Sequence, residues 1–276
     1  MVAINNLSGK TLFITGGSRG IGKAIALRAA RDGANLIIAA KTAVADPKLA
    51  GTIHETAREV EAAGGQALAV VVDVRDEAMV QAAVAAGVER FGGIDILVNN
   101  ASAIALSGVA HTPMKRFDLM FDINVRGSYL CAQACLPYLA QSANPHILTL
   151  APPIKLSPRW FAQHTAYTTS KYAMSMVAMG LAEELRAQGI ASNALWPRTY
   201  IGTAALNVAG PDMALRARKP EIMADAAWEI LTQSAASYTG QFVLDEDVLR
   251  QAGVTDFEQY LVTPGCVPEL DLFVEG

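Results

Sequence analysis

The sequence has few of the residues that mark disulfide-rich or metal-binding proteins. Its 276 residues include three cysteines, an odd number that does not fit a framework of paired disulfides. Cys131 and Cys135 stand four residues apart on a predicted helix, where we expect them to be small buried hydrophobic side chains. The four histidines are scattered and have no metal-like spacing. We therefore expect no metal site, and a protein of the reducing cytoplasm.

Charge and long hydrophobic runs are also scarce. The net charge is −4, and no block of lysine and arginine could follow a phosphate backbone, so we expect no nucleic-acid partner. The longest apolar runs, such as 67–72, have the length of a strand and are far too short to cross a bilayer. The first ten residues contain no apolar signal region. We therefore expect no membrane span.

What the chain does have is a regular alternation of strand and helix patterns, with 52% hydrophobic residues to form one sizeable core. The patterns predict strands at 10–15, 34–40, 67–72, 94–98, 146–150, 191–195 and 241–244. They predict helices at 23–32, 53–63, 77–91, 114–139, 166–186 and 221–232, and loops at 42–52 and 154–165. This order predicts an α/β fold with a doubly wound parallel sheet in a single domain, 1–276, and sites at the carboxyl ends of the strands. The pattern weakens in a C-terminal extension of about 246–276.

A glycine turn joins the first strand to the first helix. Its glycines are Gly16, Gly20 and Gly22, in the spacing G-x-x-x-G-x-G. Glycine allows a tight turn and a close approach of the backbone, and a helix N-terminus offers free N–H groups to a pyrophosphate. The turn therefore predicts a dinucleotide site, although an ordinary connection between strand and helix would also contain glycine.

The residues after the second and third strands indicate which dinucleotide binds. An NAD site usually has Asp or Glu after the second strand to hold the ribose, but this chain has Lys41 there. Lys41 and Arg19 together would suit a 2′-phosphate, so we expect NADP, with NAD the less favoured cofactor, unless both cations are merely solvated. Asp73, just past the third strand, would accept from an adenine amino group or cap the following helix.

A second chemical motif lies on the long helix that begins near residue 166. Tyr167 and Lys171 are four residues apart and share one face of this helix. A nearby ammonium favours the phenolate and lowers the pKa of the tyrosine, which makes a general acid or base, although the same spacing also occurs in plain surface pairs. Asn124 lies inside another helix, where asparagine is mildly unfavourable, so we expect it to make a structural hydrogen bond or to serve the site.

Together these motifs resemble those of the short-chain dehydrogenase/reductase family. The matches, in the family's order from residue 10 to about 245, are Thr15-Gly16-x-x-x-Gly20-Ile21-Gly22, Asp73, Asn99-Asn100-Ala101, Asn124, Tyr167-x-x-x-Lys171 and Pro197. Other stretches, such as Pro47-Lys48-Leu49 and Ala194-Leu195-Trp196-Pro197, are similar to the hydroxysteroid dehydrogenase-like protein 2 branch. Animal members of that branch carry an added sterol-carrier domain, for which we expect this chain to be too short.

The resemblance implies a seven-stranded Rossmann fold that transfers a hydride between NADP(H) and an alcohol or carbonyl. Tyr167 would exchange the proton, Lys171 would lower its pKa and hold the nicotinamide ribose, and Asn124 would position a water in the proton relay. The implied cofactor-binding residues are Gly16, Ser18, Arg19, Gly20, Ile21 and Gly22 at the pyrophosphate end, Lys41 and Thr42 after the second strand, Asp73 and Val74 at the adenine, Asn100 and Ala101 at the ribose, and Pro197 and Thr199 beside the carboxamide. The family usually forms dimers or tetramers through the helices after Met114 and Ala166, so we expect a homodimer or homotetramer.

One departure from the family bears on catalysis. The serine expected just after the fifth strand is absent, and Ala151 and Pro152 stand there instead. The hydroxyls that could replace it are those of Ser102, Thr149 and Ser157. Ser102 is itself a departure, because the family usually has glycine at that position, and Arg198 likewise stands where glycine usually follows Pro197.

Two functions remain open at the level of sequence. The first is an NADP-dependent oxidoreductase for a lipid-like or terpenoid alcohol or carbonyl. Its apolar substrate is favoured by segment 203–213 and by residues expected near the site, namely Leu150, Ile154, Trp160, Phe161 and Trp196. The second is a cofactor-binding sensor or scaffold with little catalysis, which only the missing serine favours.

Overall fold

Seven parallel strands form one sheet in the computed structural model, which describes residues 6–46, 50–209 and 211–275. The strands are β1 Thr11–Thr15, β2 Asn35–Ala40, β3 Gln66–Val71, β4 Ile96–Asn99, β5 His146–Leu150, β6 Ala191–Trp196 and β7 Phe242–Leu244. Their order in the sheet is β3-β2-β1-β4-β5-β6-β7. The predicted doubly wound fold is confirmed, and its switch point lies between β1 and β4.

Helices cover both faces of the sheet. They are α1 Gly20–Ala30, α2 Ile53–Ala62, α3 Glu77–Phe91, α4 Met114–Met120, α5 Ser128–Leu139, α6 Pro158–Phe161, α7 Thr165–Glu184, α8 Glu221–Leu231 and α9 Asp245–Gln251. Phe13 and Ile37 belong to the core on the face of α3 and α5, and their chain neighbours Ile14 and Ile38 belong to the core on the face of α1 and α8. Successive strand residues point to opposite faces, so strands buried on both faces read as continuous apolar runs.

Three segments differ from the sequence prediction. The predicted helix 114–139 is interrupted by a π-helical turn, Phe121–Gly127, that contains Asn124. The predicted loop 154–165 contains the short helix α6. The region where the pattern weakens begins with α9, whose first turn holds the acidic residues Asp245, Glu246 and Asp247, as a helix N-terminus favours. Pro47, Lys48 and Leu49, which carry part of the resemblance, lie outside the described residues.

The last residues return to the carboxyl ends of the strands. In the C-terminal segment, residues 269–275, Leu270 pairs with Thr199 in an antiparallel bridge. The indole Nε1 of Trp196 donates to the carbonyl oxygen of Leu272 at 2.8 Å. Phe273 is buried at a φ of +70°, a conformation that costs a non-glycine residue about 1–2 kcal/mol. The contacts of its ring therefore have to compensate for that strain.

The structure also bears on the predictions about membrane spans and cysteines. Among the described residues, no helix has the length and apolar character to span a membrane. Cys131 and Cys135 are free and buried in α5, as predicted. Burial raises the pKa of Cys131 to about 12, so this thiol is not a reactive thiolate at neutral pH.

Candidate active site

An open cleft of about 960 Å³ lies at the carboxyl ends of the strands, across the switch point of the sheet. The residues implied by the family that line it are Gly16, Ser18, Arg19, Gly20, Ile21, Lys41, Thr42, Asp73, Val74, Asn100, Ala101, Tyr167, Lys171 and Pro197. Gly22, Asn124 and Thr199 do not line it. The cleft therefore joins the glycine turn at one end to the Tyr167–Lys171 pair at the other.

The glycine turn is held from below by the side chain of Asn100. Its amide nitrogen Nδ2 donates to the carbonyl oxygens of Thr15, at 2.8 Å, and Gly16, at 3.1 Å. A Cβ placed on Gly22 would lie 2.8 Å from the carbonyl oxygen of Gly16 and closer still to this amide. Gly16 and Gly20 also have φ values of +67° and +55°, which favour glycine. Glycine is therefore required at position 22 by the tight packing against Gly16 and Asn100. Contact with a ligand is not the reason, because Gly22 does not line the cleft.

The same turn leaves an anion site open. Helix α1 begins at Gly20, and the side chain of its N-cap residue, Arg19, makes no capping hydrogen bond. Its first N–H groups are therefore available to a pyrophosphate, and the helix dipole favours a negative charge there. The absence of a side chain at Gly20 leaves room for a ligand to approach these N–H groups. A Cβ on Gly20 would lie 3.3 Å from the side chain of Thr203. These residues fit the diphosphate part of a dinucleotide.

The residues expected to select the cofactor are paired with other groups. Lys41 Nζ lies 3.1 Å from Asp73 Oδ2, and Arg75 binds the same carboxylate at 2.6 Å. Hydrogen bonds from Arg75 hold the pKa of Asp73 well below its usual range, against the opposing effect of burial. Arg19 donates to the carbonyl oxygens of Ala50 and Gly51 at 2.9 and 2.7 Å. Both cations therefore have protein partners and are not merely solvated, and their contact with a 2′-phosphate stays a prediction.

The structure excludes one of the two interpretations of Asp73, that of a helix cap, and its contact with an adenine amino group stays a prediction. The N-cap of α3 is Asp76, whose carboxylate accepts from the N–H of Met79 at 3.1 Å. Asp73 lines the cleft and anchors Arg75 and Lys41. The alternative that Asp73 caps the helix is wrong.

Asn124 lies in the π-helical turn and is fully buried. Its Oδ1 accepts from the N–H of Ala103 at 2.7 Å, and its Nδ2 donates to the carbonyl oxygen of Ala103 and to Ser170 Oγ, each at 3.0 Å. These bonds tie the chain after β4 to helix α7, and Asn124 thus has the structural role that the sequence left open. A part in a proton relay stays a prediction.

Tyr167 and Lys171 both line the inner end of the cleft and are buried. Lys171 Nζ donates to the carbonyl oxygen of Leu150 at 2.6 Å and lies 5.0 Å from the centre of the Trp196 ring. Burial lowers the pKa of Lys171 to about 7, although Asp271 opposes this shift. Burial, with a contribution from Asp271, raises the pKa of Tyr167. In the chain alone the pKa of Tyr167 therefore shifts in the direction opposite to the one expected, because burial is the largest effect on it.

The position of the missing serine has no side-chain donor. Ala151 is buried and packs against Met174 and Ala194, and Pro152 is buried beside it. Of the proposed substitutes, Thr149 is buried in β5 and does not line the cleft, and neither does Ser157. Only Ser102 lines the cleft.

Of the two residues expected beside the nicotinamide carboxamide, one lines the cleft and the other does not. Pro197 lines the cleft, whereas Thr199 is buried behind it. Thr199 Oγ1 has no hydrogen-bond partner among the described residues. A buried hydroxyl without a partner is unusual and is compatible with a polar ligand group nearby.

Several of the residues that sequence reasoning missed lie in the C-terminal segment. Asp271 and Leu272 line the cleft. Phe273 packs on Tyr167, with ring centres 6.3 Å apart, and on Trp196, 5.6 Å apart. The alternation of Leu270, Leu272 and Val274 was the available signal, but it is too short to place the segment beside α7.

The apolar residues predicted near the site divide into two groups. Leu150 and Trp196 line the cleft, together with Ile104 and Leu106, which the sequence did not single out. Trp160 and Phe161 belong to the aromatic cluster behind it. Ile154 does not line the cleft.

Comparison with known proteins identifies the family of the chain. The model of the short chain dehydrogenase family matches residues 10–214. The hydroxysteroid dehydrogenase-like protein 2 of Danio rerio is 58% identical over 98% of this chain, which spans 65% of that longer relative. The crystal structure of a candidate dehydrogenase from Xanthomonas campestris is 63% identical, with a TM-score of 0.96 over 98% of this chain and 100% of that one. A short chain dehydrogenase from Mycobacterium thermoresistibile is 54% identical, with a TM-score of 0.93 over 98% and 97% of the two chains.

More distant solved structures contain the cofactor. A short chain dehydrogenase from Mycobacterium paratuberculosis, 26% identical over 87% of this chain and 97% of its own, is bound to NAD, with a TM-score of 0.74. A metagenomic short-chain oxidoreductase, 25% identical over 86% and 97%, is in complex with NADP, with a TM-score of 0.70. The chain belongs to the short-chain dehydrogenase family of NAD(P)-dependent oxidoreductases.

Proposed function

We propose that the chain is an NADP-dependent oxidoreductase that interconverts an alcohol and a carbonyl on a small apolar, lipid-like or terpenoid substrate. The observation that carries the proposal is one cleft with an uncapped helix N-terminus at one end and the Tyr167–Lys171 pair at the other. A nicotinamide dinucleotide bound at the first end would supply the hydride at the second.

The chain's own residues would handle the proton. Tyr167 is the acid whose hydroxyl meets the substrate oxygen, because it lines the inner end of the cleft. Lys171 would stabilise the phenolate formed when that proton leaves, provided that its ammonium turns from the carbonyl of Leu150 toward the ribose and Tyr167. Burial of both side chains keeps bulk water away from this exchange.

The preference for NADP rests on the charge after β2. The side chain of Lys41 is 59% exposed and lines the cleft, so its ammonium is accessible to a 2′-phosphate although it also contacts Asp73. A hydrogen bond to a charged group contributes about 1.5–3 kcal/mol, which is roughly tenfold or more in affinity. Relatives of this fold bind NAD or NADP, so this residue is the basis of our choice.

The substrate class rests on the lining of the inner end. Ile104, Leu106, Leu150, Trp196 and Leu272 present apolar surface there. Pockets lined mainly by apolar side chains with a few polar groups favour apolar ligands that carry one reactive polar atom. The name of the Danio rerio relative agrees with such a substrate but does not identify it.

A panel of alcohols with NADP⁺ and with NAD⁺ tests the activity, by the absorbance of the reduced nicotinamide. We expect turnover above background that rises with the apolar size of the alcohol and that is greater with NADP⁺ at low cofactor concentration. Tyr167→Phe is the control, because it removes the hydroxyl and keeps the ring. Equal affinities for the two cofactors would contradict the NADP preference but not the proposed oxidoreductase activity.

The alternative is cofactor binding with little catalysis. One observation favours it: Ala151 and Pro152 supply no side-chain donor where the family has a serine. Tight NADP binding with no turnover on any alcohol or ketone of the panel would favour this alternative, and steady turnover would exclude it.

We also propose a homodimer or homotetramer built through α5 and α7. Tyr129 on α5 and Met176 and Met179 on α7 are large hydrophobic side chains with about half of their surface exposed. Light scattering on the eluted protein measures the assembly, and Met179→Lys should shift it toward the monomer.

A further inference from the structure

The C-terminal segment places one ionisable side chain in the cleft. Asp271 lines the cleft together with Tyr167, Lys171 and Leu272. The N–H of Asp271 donates to the carbonyl oxygen of Arg198 at 3.0 Å, and the carbonyl of the next residue accepts from Trp196 at 2.8 Å. The backbone on both sides of Asp271 is therefore fixed to the chain that leaves β6, which holds this residue in the cleft that Tyr167 and Lys171 also line.

This carboxyl interacts with both residues of the pair. In its ionised form this carboxyl raises the pKa of Tyr167 and opposes the lowering of the pKa of Lys171. Burial raises the pKa of Asp271 itself well above its usual range; Asp245 adds repulsion, while the N–H of Leu272 and Lys171 oppose the shift. The ionisable groups that face it are Tyr167 and Lys171 on α7, Asp245 at the start of α9, and Tyr200 after β6.

The site lacks one donor at this end of the cleft. Ala151 and Pro152 offer none from their side chains, and Thr149 and Ser157 do not line the cleft. Ser102 lines the cleft but is an exposed side chain. A protonated carboxyl carries one O–H donor, as a serine does.

We propose that the protonated carboxyl of Asp271 donates a hydrogen bond to the substrate oxygen beside Tyr167, in place of the hydroxyl that is absent after β5. In carbonyl reduction the hydride goes to the carbon and the proton of Tyr167 goes to the oxygen. Asp271 keeps its own proton, so no bond at Asp271 breaks. The role rests on the proposed function, because it needs a carbonyl or alcohol in the cleft.

Ketone binding without turnover tests the role. The full chain is saturated with NADP⁺, which cannot reduce a ketone, and its affinity for cyclohexanone is measured by calorimetry for the unmodified chain, Asp271→Asn and Asp271→Ala. The asparagine keeps an N–H donor and cannot ionise, so its affinity should stay within about twofold. The alanine has no donor and should bind about 3–10 times more weakly, the usual value of one neutral hydrogen bond.

The dependence on pH separates a donor from a packing residue. The affinity of the unmodified chain should fall as the pH rises through the pKa of Asp271, because the carboxylate cannot donate, whereas Asp271→Asn should show no such fall. In cyclohexanone reduction with NADPH, Asp271→Ala should lower kcat by about 10²–10³, the usual effect of losing one donor to a developing oxyanion.

Glu275→Gln is the matched control. It makes the same change of carboxyl to amide in the same segment, at a residue that pairs with Arg159 at 3.0 Å and does not line the cleft. We expect it to leave ketone affinity unchanged. The role is overturned if Asp271→Ala binds cyclohexanone as well as the unmodified chain, if Asp271→Asn loses as much as Asp271→Ala, or if Ser102→Ala alone causes the loss. If the unmodified chain binds no ketone at all, the proposed function fails, and this role with it.

Discussion

The two ends of the cleft are stabilised by different interactions. At the glycine turn, Thr15, Gly16, Gly22 and Asn100 are held by hydrogen bonds between amides and carbonyls and by the absence of side chains. At the inner end, aromatic rings surround a buried lysine, a buried tyrosine and a partly buried carboxyl. The first end should therefore be sensitive to added volume, and the second to a change of charge or to lost packing.

The largest effect is expected at the inner end, from Tyr167→Phe. The substitution removes the hydroxyl that we propose as the acid, and general acid–base catalysis contributes about 10²–10⁴ in rate. Steady-state kinetics should show that loss in kcat, whereas fluorescence titration with NADPH should show nearly unchanged affinity. Lys171→Ala should weaken both quantities. A Tyr167→Phe enzyme with most of its activity would mean that the chemistry lies elsewhere.

Phe273→Ala tests whether packing holds the inner end together. The ring is buried and contacts those of Trp160, Tyr167, Tyr172 and Trp196. Truncation of a buried phenylalanine usually costs about 3–5 kcal/mol of unfolding free energy. Urea denaturation should show this loss, and kcat should fall more than the affinity for NADPH.

Leu270→Ala provides the comparison for Phe273→Ala, because Leu270 lies in the same segment and is exposed. It should change the free energy of unfolding by less than about 0.5 kcal/mol. Equal losses for the two substitutions would show that the segment as a whole, and not the aromatic ring, provides the stability.

Gly22→Ala tests the glycine turn by volume alone. The new Cβ would collide with the carbonyl oxygen of Gly16 and the amide of Asn100, and overpacking of this kind costs about 1–3 kcal/mol. We expect a lower melting temperature and weaker binding of NADPH. Gly93→Ala is the control, since a Cβ there meets nothing within 4 Å. If both substitutions are tolerated equally, Asn100 moves aside and the turn is less tightly packed than its geometry indicates.

Apart from the control substitutions, the smallest effect is expected from Lys41→Asp, which reverses a charge at the end of the cleft that should be most sensitive to added volume. Removal of one phosphate contact should weaken NADPH binding by about tenfold or more and leave NADH binding unchanged or stronger. The ratio of the two dissociation constants measures the change. If the substitution leaves this ratio unaltered, Lys41 does not select the cofactor, and Arg19 or Arg75 becomes the candidate.

The sequence predicted the glycine-turn end more completely than the inner end. The buried strands have uninterrupted apolar runs, and the glycines follow β1 directly, so the fold and the turn could be inferred from local pattern. The ion pair between Lys41 and Asp73 could not, because it joins residues on two different strand ends. The direction of the pKa of Tyr167 was also missed, since burial and the position of Asp271 depend on how the last residues fold back. No local pattern encodes that return.

The path of the C-terminal segment has a consequence for how the molecule forms during synthesis. The strands and the turn of the cofactor end are complete once the ribosome has released the first hundred or so residues, a unit of the size that can fold early. The surroundings of Tyr167 cannot be complete until Phe273 has emerged and packed between Trp160 and Trp196. A nascent chain should therefore acquire its nucleotide fold first and its acid–base centre later, once Phe273 has been translated.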